Sequence, residues 1–195
     1  MASNPQKALD LFCSNISGRV LNIGDVAKSP HNISIKEKAI STTISLEPCA
    51  DIVADYNSHN FHESFDAIWC AHCLERQRNV GVFLEKIFKD LKNDGLLCIT
   101  VPPLKHNIVG GHLSLWNGGI LLYNLILAGF DCSSAYLIRD GYNVSVLVRK
   151  KKAEIPNLNM DFGDIEKISN FFPFDAKHGF NGDIEEAGDK SWLSR

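Results

Sequence analysis

Short apolar runs and amphipathic stretches alternate along the first 150 residues of the chain. Each apolar run is bounded by turn residues, which is typical of a strand buried on both faces of a sheet. The predicted strands cover residues 19–24, 39–46, 51–56, 65–72 and 96–103. Between some of these runs, apolar side chains recur at helical spacing. The predicted helices cover residues 5–16, 79–93 and 117–130.

Two further features complete this pattern. Pro30 interrupts the polar segment 25–37, so a long helix is not expected there. Asp140 and Gly141 separate two alternating runs in residues 133–151, which predicts a β-hairpin. Alternating buried strands and helices predict an α/β fold with a mostly parallel sheet, to which the hairpin adds an antiparallel strand.

The composition of the chain changes after residue 152. The remaining segment is rich in Asn, Asp, Gly and Phe and has no long periodic run. We therefore expect one domain over residues 1–152. Residues 153–195 are expected to form a C-terminal extension that packs on this domain or trails from it.

Composition narrows the range of functions. The chain has 195 residues and a formal net charge of −3. It has no stripe of basic residues, so we do not expect it to bind nucleic acid. No apolar stretch reaches the ~18 residues needed to cross a bilayer, and no signal peptide is recognisable, so we expect a cytoplasmic protein without membrane contact. In the cytoplasm the six cysteines are expected to be reduced. They include one Cys-x-x-Cys pair but no second pair to complete a zinc site, so we predict no metal site.

Ligands of parallel α/β sheets bind beyond the carboxyl ends of the strands. The candidate positions are therefore Gly24, residues 45–48, Asp55, residues 70–75 and the loop 102–116.

The motifs around these positions occur in a familiar order. Ser64-Phe65-Asp66 precedes the fourth predicted strand, Leu74-Glu75-Arg76 follows it, and residues 91–95 (LKNDG) precede the fifth. With Asp55 before them and "AGF" at 128–130 after them, these motifs resemble class I S-adenosylmethionine-dependent methyltransferases over residues 18–151. The resemblance implies a Rossmann-like, doubly wound, mostly parallel seven-stranded sheet with an antiparallel C-terminal hairpin strand. It also implies S-adenosylmethionine as the cofactor.

The resemblance also implies a set of cofactor-binding positions. They are Gly24, Ser45, Glu47, Asp55, Cys70 and His72. Ser45 aligns with the acidic residue that holds the ribose hydroxyls in the family, and Glu47 is a nearby substitute. Asp55 matches the position that contacts the adenine amine. The glycine-rich loop of the family is reduced to Gly24, followed by residues 25–28 (DVAK), and Asn22 stands where an acidic residue is common.

Methyl transfer to an oxygen needs a general base, and histidine suits this role near neutral pH. His106 and His112 lie in the loop after the fifth predicted strand, so we name them as catalytic candidates. Their alternative interpretation is as surface histidines of the loop.

The sequence thus predicts a methyltransferase that acts on a small molecule. The extension resembles methyltransferase-like proteins of saccharide pathways, which suggests a saccharide or surface-polysaccharide precursor as substrate and a homodimer as the assembly to test. One alternative is a catalytically inactive methyltransferase-like module that binds or scaffolds a partner. Another is a nicotinamide-dependent or nucleotide-sugar enzyme, although no Gly-x-Gly-x-x-Gly follows the first strand.

Overall fold

The computed structural model describes residues 5–24 and 29–194. Over these residues the chain forms one sheet of eight strands, in the order β3-β2-β1-β4-β5-β7-β6-β8. The strands are β1 (Arg19–Ile23), β2 (Ile40–Ser45), β3 (Ile52–Val53), β4 (Phe65–Ala71), β5 (Leu91–Val101), β6 (Tyr136–Asp140), β7 (Asn143–Arg149) and β8 (Glu186–Ala187). Strands β1 to β5 are parallel, and β7 is antiparallel to both β5 and β6. This confirms the predicted mostly parallel sheet with its antiparallel hairpin strand.

The helices cover both faces of the sheet. They are α1 (Gln6–Ser14), α2 (Pro30–Lys36), α3 (Val80–Asp90), α4 (Gly118–Leu127) and α5 (Asp164–Lys167). Ser29, Asn79 and Asn117 cap α2, α3 and α4, because each side-chain oxygen accepts a hydrogen bond from an amide in the first turn. The helix after β1 has seven residues and is short, as expected; Pro30 does not interrupt it but lies in its first turn, where proline is tolerated.

The core lies on both sides of the sheet because successive residues of each strand point to opposite faces. In β1, Leu21 packs in the cluster that includes α3 and α4, whereas Val20 packs in the cluster that includes α1. Trp69 of β4 is fully buried on the α1 side, where its ring lies 5.3 Å from that of Phe12. Both faces of the central strands are therefore dry.

Three elements differ from the sequence predictions. The strand predicted over 51–56 is reduced to the two residues of β3, which lies at the edge of the sheet and pairs only with β2 among the described strands. The helix predicted over 79–93 ends at Asp90, because the fully buried Leu91 already pairs with Phe65 of β4. The third difference is β8, which makes the sheet eight-stranded rather than seven-stranded.

Strand β8 comes from the C-terminal segment and pairs antiparallel with β6. Nearby, the Arg139 guanidinium lies 2.8 Å from the Asp183 carboxylate and 2.9 Å from the Glu185 carboxylate. These contacts attach the segment to the edge of the sheet. Among the described residues, none of the helices is both long and apolar enough to cross a membrane.

Candidate functional site

A cleft of about 540 Å³ opens at the edge of the sheet where β4, β5 and β6 end. Its lining comes from the β4–α3 loop, the β5–α4 loop and the β6–β7 turn. The residues that matter for its chemistry are His72, Glu75, Arg76, Lys105, His112 and Tyr142. These loops meet because β4, β5 and β6 run in the same direction and end at the same edge. The volume is in the range of small-molecule sites.

Glu75 forms the floor of the cleft. Its side chain is completely buried, and neither carboxylate oxygen has a hydrogen-bond partner among the described residues. Three nitrogen atoms nevertheless surround the Oε1 atom of Glu75. They are Nε of Arg76 at 3.6 Å, Nδ1 of His72 at 3.9 Å and Nε2 of His112 at 4.0 Å. Burial raises the pKa of the Glu75 carboxyl.

The backbone holds Glu75 in this position. Residues Leu74–Arg76 form a 3₁₀ turn directly after β4. The carbonyl oxygen of Glu75 accepts hydrogen bonds from the amides of Leu113 at 2.7 Å and Ser114 at 3.3 Å. The loop that carries His112 is therefore attached to the turn that carries Glu75.

His72 joins the ends of β4, β5 and β7. Its amide donates a hydrogen bond to the carbonyl of Thr100, and its Nε2 lies 2.9 Å from Oδ1 of Asn143. Its backbone has φ of +56°, a left-handed conformation that is uncommon outside glycine and recurrent at functional sites. Burial is the largest cause of its lowered pKa.

The structure separates the two predicted catalytic histidines. His112 lines the cleft, and its pKa is lowered first by burial and then by the charges of Arg76 and Lys105. His106 is exposed on the same loop and is not part of the cleft lining. Of the two, only His112 lines the cleft.

Gly24, at the end of β1, has a packing role in addition to any role in binding. Its φ is +80°, and its amide donates a 2.8 Å hydrogen bond to the carbonyl of Ile44. A Cβ at this position would lie 2.0 Å from Sγ of Cys73, whose thiol donates to the carbonyl of Ile23. The following residues, including Val26 and Ala27 of the reduced glycine-rich loop, lie outside the described residues.

The other predicted cofactor positions lie at the ends of β2 and β3. Oγ of Ser45 accepts a 3.2 Å hydrogen bond from the amide of Glu47, whose side chain is exposed. Asp55 is also exposed, and its Oδ1 accepts a 3.0 Å hydrogen bond from the amide of Asn57. Two carboxylates thus face solvent after the ends of β2 and β3.

Cys70 requires a correction. It is completely buried within β4, between Ile23 of β1 and Ile99 of β5. Its thiol interacts with Cys73 and has a raised pKa because of that hydrogen bond and of burial. The side chain therefore belongs to the core and not to a ligand-binding surface.

Asn22 is a buried polar residue near the end of β1. Both polar atoms of its side chain are buried, and neither has a partner in the part of the chain that the structure describes. It precedes Gly24 by two residues in β1. A buried amide without partners is costly to the folded state, which makes Asn22 a candidate contact for a polar ligand.

Glu75 and Lys105 lie within the candidate segments 70–75 and 102–116, and Arg76 belongs to the quoted motif, but none of the three was predicted to have a role. Tyr142 lies outside the predicted positions. Each of these residues lies directly after a strand or in a turn at the carboxyl edge of the sheet. Two signals were present in the sequence. Glu75 and Arg76 belong to the Leu-Glu-Arg motif, and Tyr142 follows the Asp-Gly pair of the hairpin.

Comparisons with known proteins agree with this architecture. A family model described as a methyltransferase domain matches residues 13–99. No curated protein matches the chain at the significance threshold.

Solved structures show the same fold at low sequence identity. The N-methyltransferase NodS from Bradyrhizobium japonicum WM9 is 16% identical, with a TM-score of 0.57 over 79% of this chain and 100% of that chain. The 1,6-didemethyltoxoflavin-N1-methyltransferase of Burkholderia thailandensis, solved with its substrate and S-adenosylhomocysteine, is 14% identical, with a TM-score of 0.62 over 76% of this chain and 78% of that chain. The [4+2]-cyclase SpnF is 21% identical, with a TM-score of 0.52 over 69% of this chain and 58% of that chain.

The sequence match covers β1 to β4 and most of β5, and the β5–α4 loop and the β6–β7 turn that also line the cleft lie beyond it. The structural matches extend over most of the chain. Together they confirm the resemblance of this protein to the class I S-adenosylmethionine-dependent methyltransferases.

Proposed function

We propose that this protein is an S-adenosylmethionine-dependent methyltransferase that acts on a small polar molecule bound in the cleft. The observation that carries the proposal is Glu75, a fully buried carboxylate without hydrogen-bond partners, which lies 4.0 Å from the His112 imidazole. A folded protein rarely keeps such a group unless a ligand or a reaction uses it. The methyltransferase-domain match over residues 13–99 supports the choice of reaction.

The residues at the end of β1 and beyond β2 fit the cofactor. Asn22 offers a buried amide without partners, and Gly24 exposes backbone at the strand end. Glu47 and Asp55 offer exposed carboxylates that can accept hydrogen bonds from ribose hydroxyls and the adenine amine. When bound, S-adenosylmethionine supplies a methyl group on a positively charged sulfur that leaves as a neutral thioether.

The chain itself orients the acceptor and receives its proton. The acceptor atom gives its lone pair to the methyl carbon and its proton to His112, whose lowered pKa keeps the imidazole neutral near pH 7. The Glu75 carboxylate, close to the same ring, stabilises the imidazolium that results. The ring of His72 is held by Asn143, and its Nδ1 lies 3.9 Å from the same Glu75 oxygen.

We propose a saccharide or surface-polysaccharide precursor in the cytoplasm as the first acceptor class to test. Most of the side chains that line the cleft carry hydrogen-bonding groups, which suit a ligand with several hydroxyls.

The test is a transfer assay with radiolabelled S-adenosylmethionine and a panel of free sugars, sugar phosphates and nucleotide sugars. The protein is expected to form S-adenosylhomocysteine only with an acceptor present. His112→Gln and Glu75→Gln should each lower kcat by about 100-fold, the lower end of general-base contributions. His62→Gln, an exposed histidine outside the cleft, serves as the matched control and should retain full activity.

A second candidate is a methyltransferase-like module that catalyses no methyl transfer. Cys73 favours it, because its Sγ fills the space beside Gly24 where the family brings backbone close to the cofactor. This candidate predicts no labelled product with any acceptor and no binding of S-adenosylhomocysteine.

A further inference from the structure

Two cations, Arg76 and Lys105, lie at the mouth of the cleft, where burial and then their charges lower the pKa of His112. The side chain of Arg76 is 55% exposed, and Lys105 is exposed on the β5–α4 loop. The ammonium of Lys105 lies 4.0 Å from the ring centroid of Tyr142, in cation–π geometry. Both cations line the same cleft as Glu75.

The guanidinium of Arg76 is held in place. Its Nε donates a 3.2 Å hydrogen bond to the carbonyl of His72. On the loop side it lies against Gly111, where a Cβ would come within 3.1 Å of Nη1. An arginine fixed by its Nε presents its remaining N–H groups as a preorganised donor set.

The charges that line the cleft do not balance. Of its described lining residues, Glu75 is the only carboxylate, and its oxygens are completely buried at the floor. No carboxylate among the described residues lies within 4.0 Å of the Lys105 ammonium. Other cations of the chain, such as Lys86, Arg139 and Lys151, do form ion pairs. The mouth of the cleft is therefore positive, and its floor holds one acid.

We propose that the acceptor carries a phosphate or carboxylate group, which binds to Arg76 and Lys105 at the mouth of the cleft. Its nucleophilic hydroxyl or amine then lies deeper, beside Glu75 and His112. The proposal deepens the methyltransferase function and rests on it.

Physical chemistry favours this arrangement. Arginine binds phosphate and carboxylate through charge-assisted, often bidentate hydrogen bonds, and lysine adds a point charge. An anion bound away from the reacting atom fixes the orientation of the acceptor, which is a large part of what a transferase must supply. Glu75 does not repel such an anion strongly, because its carboxylate is buried at the floor of the cleft and His72 and His112 lie next to the carboxylate.

The experiment titrates the full chain with inorganic phosphate and, separately, with acetate at constant ionic strength. Chemical shifts of the histidine Cε1–Hε1 groups report binding, since His72 and His112 line the cleft. Chloride is the reference anion. Arg76→Gln and Lys105→Gln remove the proposed ligands. Arg78→Gln and Lys89→Gln are the charge-matched controls; Arg78 is exposed on the β4–α3 loop outside the cleft lining, and Lys89 is exposed on α3. Circular dichroism melts verify that each variant is folded.

We expect phosphate or acetate to shift the His72 and His112 resonances in a saturable way. Each cleft variant should weaken the affinity for the anion by about tenfold or more, and each control variant by less than about twofold. Saturation with phosphate alone identifies a phosphorylated acceptor, and saturation with acetate alone identifies a carboxylate. Absence of saturation with both anions, or equal loss in all four variants, would overturn the proposal. The same samples are also titrated with S-adenosylhomocysteine. If the protein binds S-adenosylhomocysteine but neither anion, only the proposed acceptor class is rejected. If it binds an anion but not S-adenosylhomocysteine, the methyltransferase function is rejected.

Discussion

At the scale of single residues, the Glu75 carboxylate lowers the stability of the folded protein at a position that we propose to be functional. A buried carboxylate without hydrogen-bond partners is costly when ionised, and burial raises its pKa above the ordinary value of 4.5. A carboxyl whose pKa is raised by folding lowers the stability of the protein as the pH rises from the unfolded-state pKa through the folded-state pKa. The folded state is thus penalised at neutral pH and not in acid.

Glu75→Gln is therefore expected to raise the free energy of unfolding at pH 8 by about 1 kcal/mol, because an amide loses less on burial than a carboxylate. At a pH below 4 the variant and the wild type should be equally stable. Urea denaturation at both pH values measures the difference. Glu85→Gln, exposed on α3, is the control and should change neither value. Destabilisation at pH 8 would mean that the surrounding histidines and Arg76 already stabilise the carboxylate.

Gly24 and Cys73 give a second prediction at this scale. Gly24→Ala places a Cβ against the Cys73 sulfur and forces a left-handed φ on alanine, so a loss of about 2 kcal/mol is expected. In a Cys73→Ala background the steric part of this loss should disappear, while the backbone part of about 1 kcal/mol remains. Chemical denaturation of the four proteins of this cycle checks the prediction. Equal losses in both backgrounds would show that the two residues do not interact.

Residue roles could be predicted only in part from the sequence. The position of His112 at the carboxyl edge follows from strand order, and the structure places it in the cleft. His106 is in the same loop, and nothing in its spacing showed that the chain would direct it to solvent. Cys70 was assigned from its place at a strand end, but β4 continues to Ala71 and is buried on both faces, so Cys70 lies in the core.

At the scale of elements, the β5–α4 loop controls the mouth of the cleft. Gly111 has φ of +82°, and a Cβ there would press on the Arg76 guanidinium at 3.1 Å. The neighbouring Gly110 has open space around its Cα and provides a matched control.

Gly111→Ala is expected to weaken phosphate binding by about tenfold, because the alanine strains the loop and displaces the arginine. Gly110→Ala should leave the affinity within about twofold of the wild type. Titration with phosphate, followed by the histidine resonances, measures both. Equal affinities in the two variants would show that the loop does not position Arg76.

The elements with clear periodicity were predictable, and their ends were not. Helix α3 ends before the predicted Asn93 because Leu91 is already part of the sheet, a tertiary contact that local pattern does not contain. Strand β8 has two residues and no pattern of its own. It forms because the edge of β6 offers unpaired backbone groups that another segment can cover.

At the scale of the whole molecule, strand order decides where chemistry can occur. The order β3-β2-β1-β4-β5-β7-β6 reverses between β1 and β4, and the carboxyl edge beside this point carries Asn22, Gly24 and the cleft. The fold class followed from the alternation of buried strands and helices, whereas the acceptor site needed three loops from distant parts of the chain. This is why the fold was predicted more completely than the site.

Calorimetric titration of the full chain with S-adenosylhomocysteine determines whether the protein binds the product of its proposed cofactor. We predict saturable heat for one site per chain, weakened severalfold by Asp55→Asn, and no heat with NADH. A folded protein that gives no heat at millimolar S-adenosylhomocysteine would contradict the account and leave the non-catalytic module as its replacement.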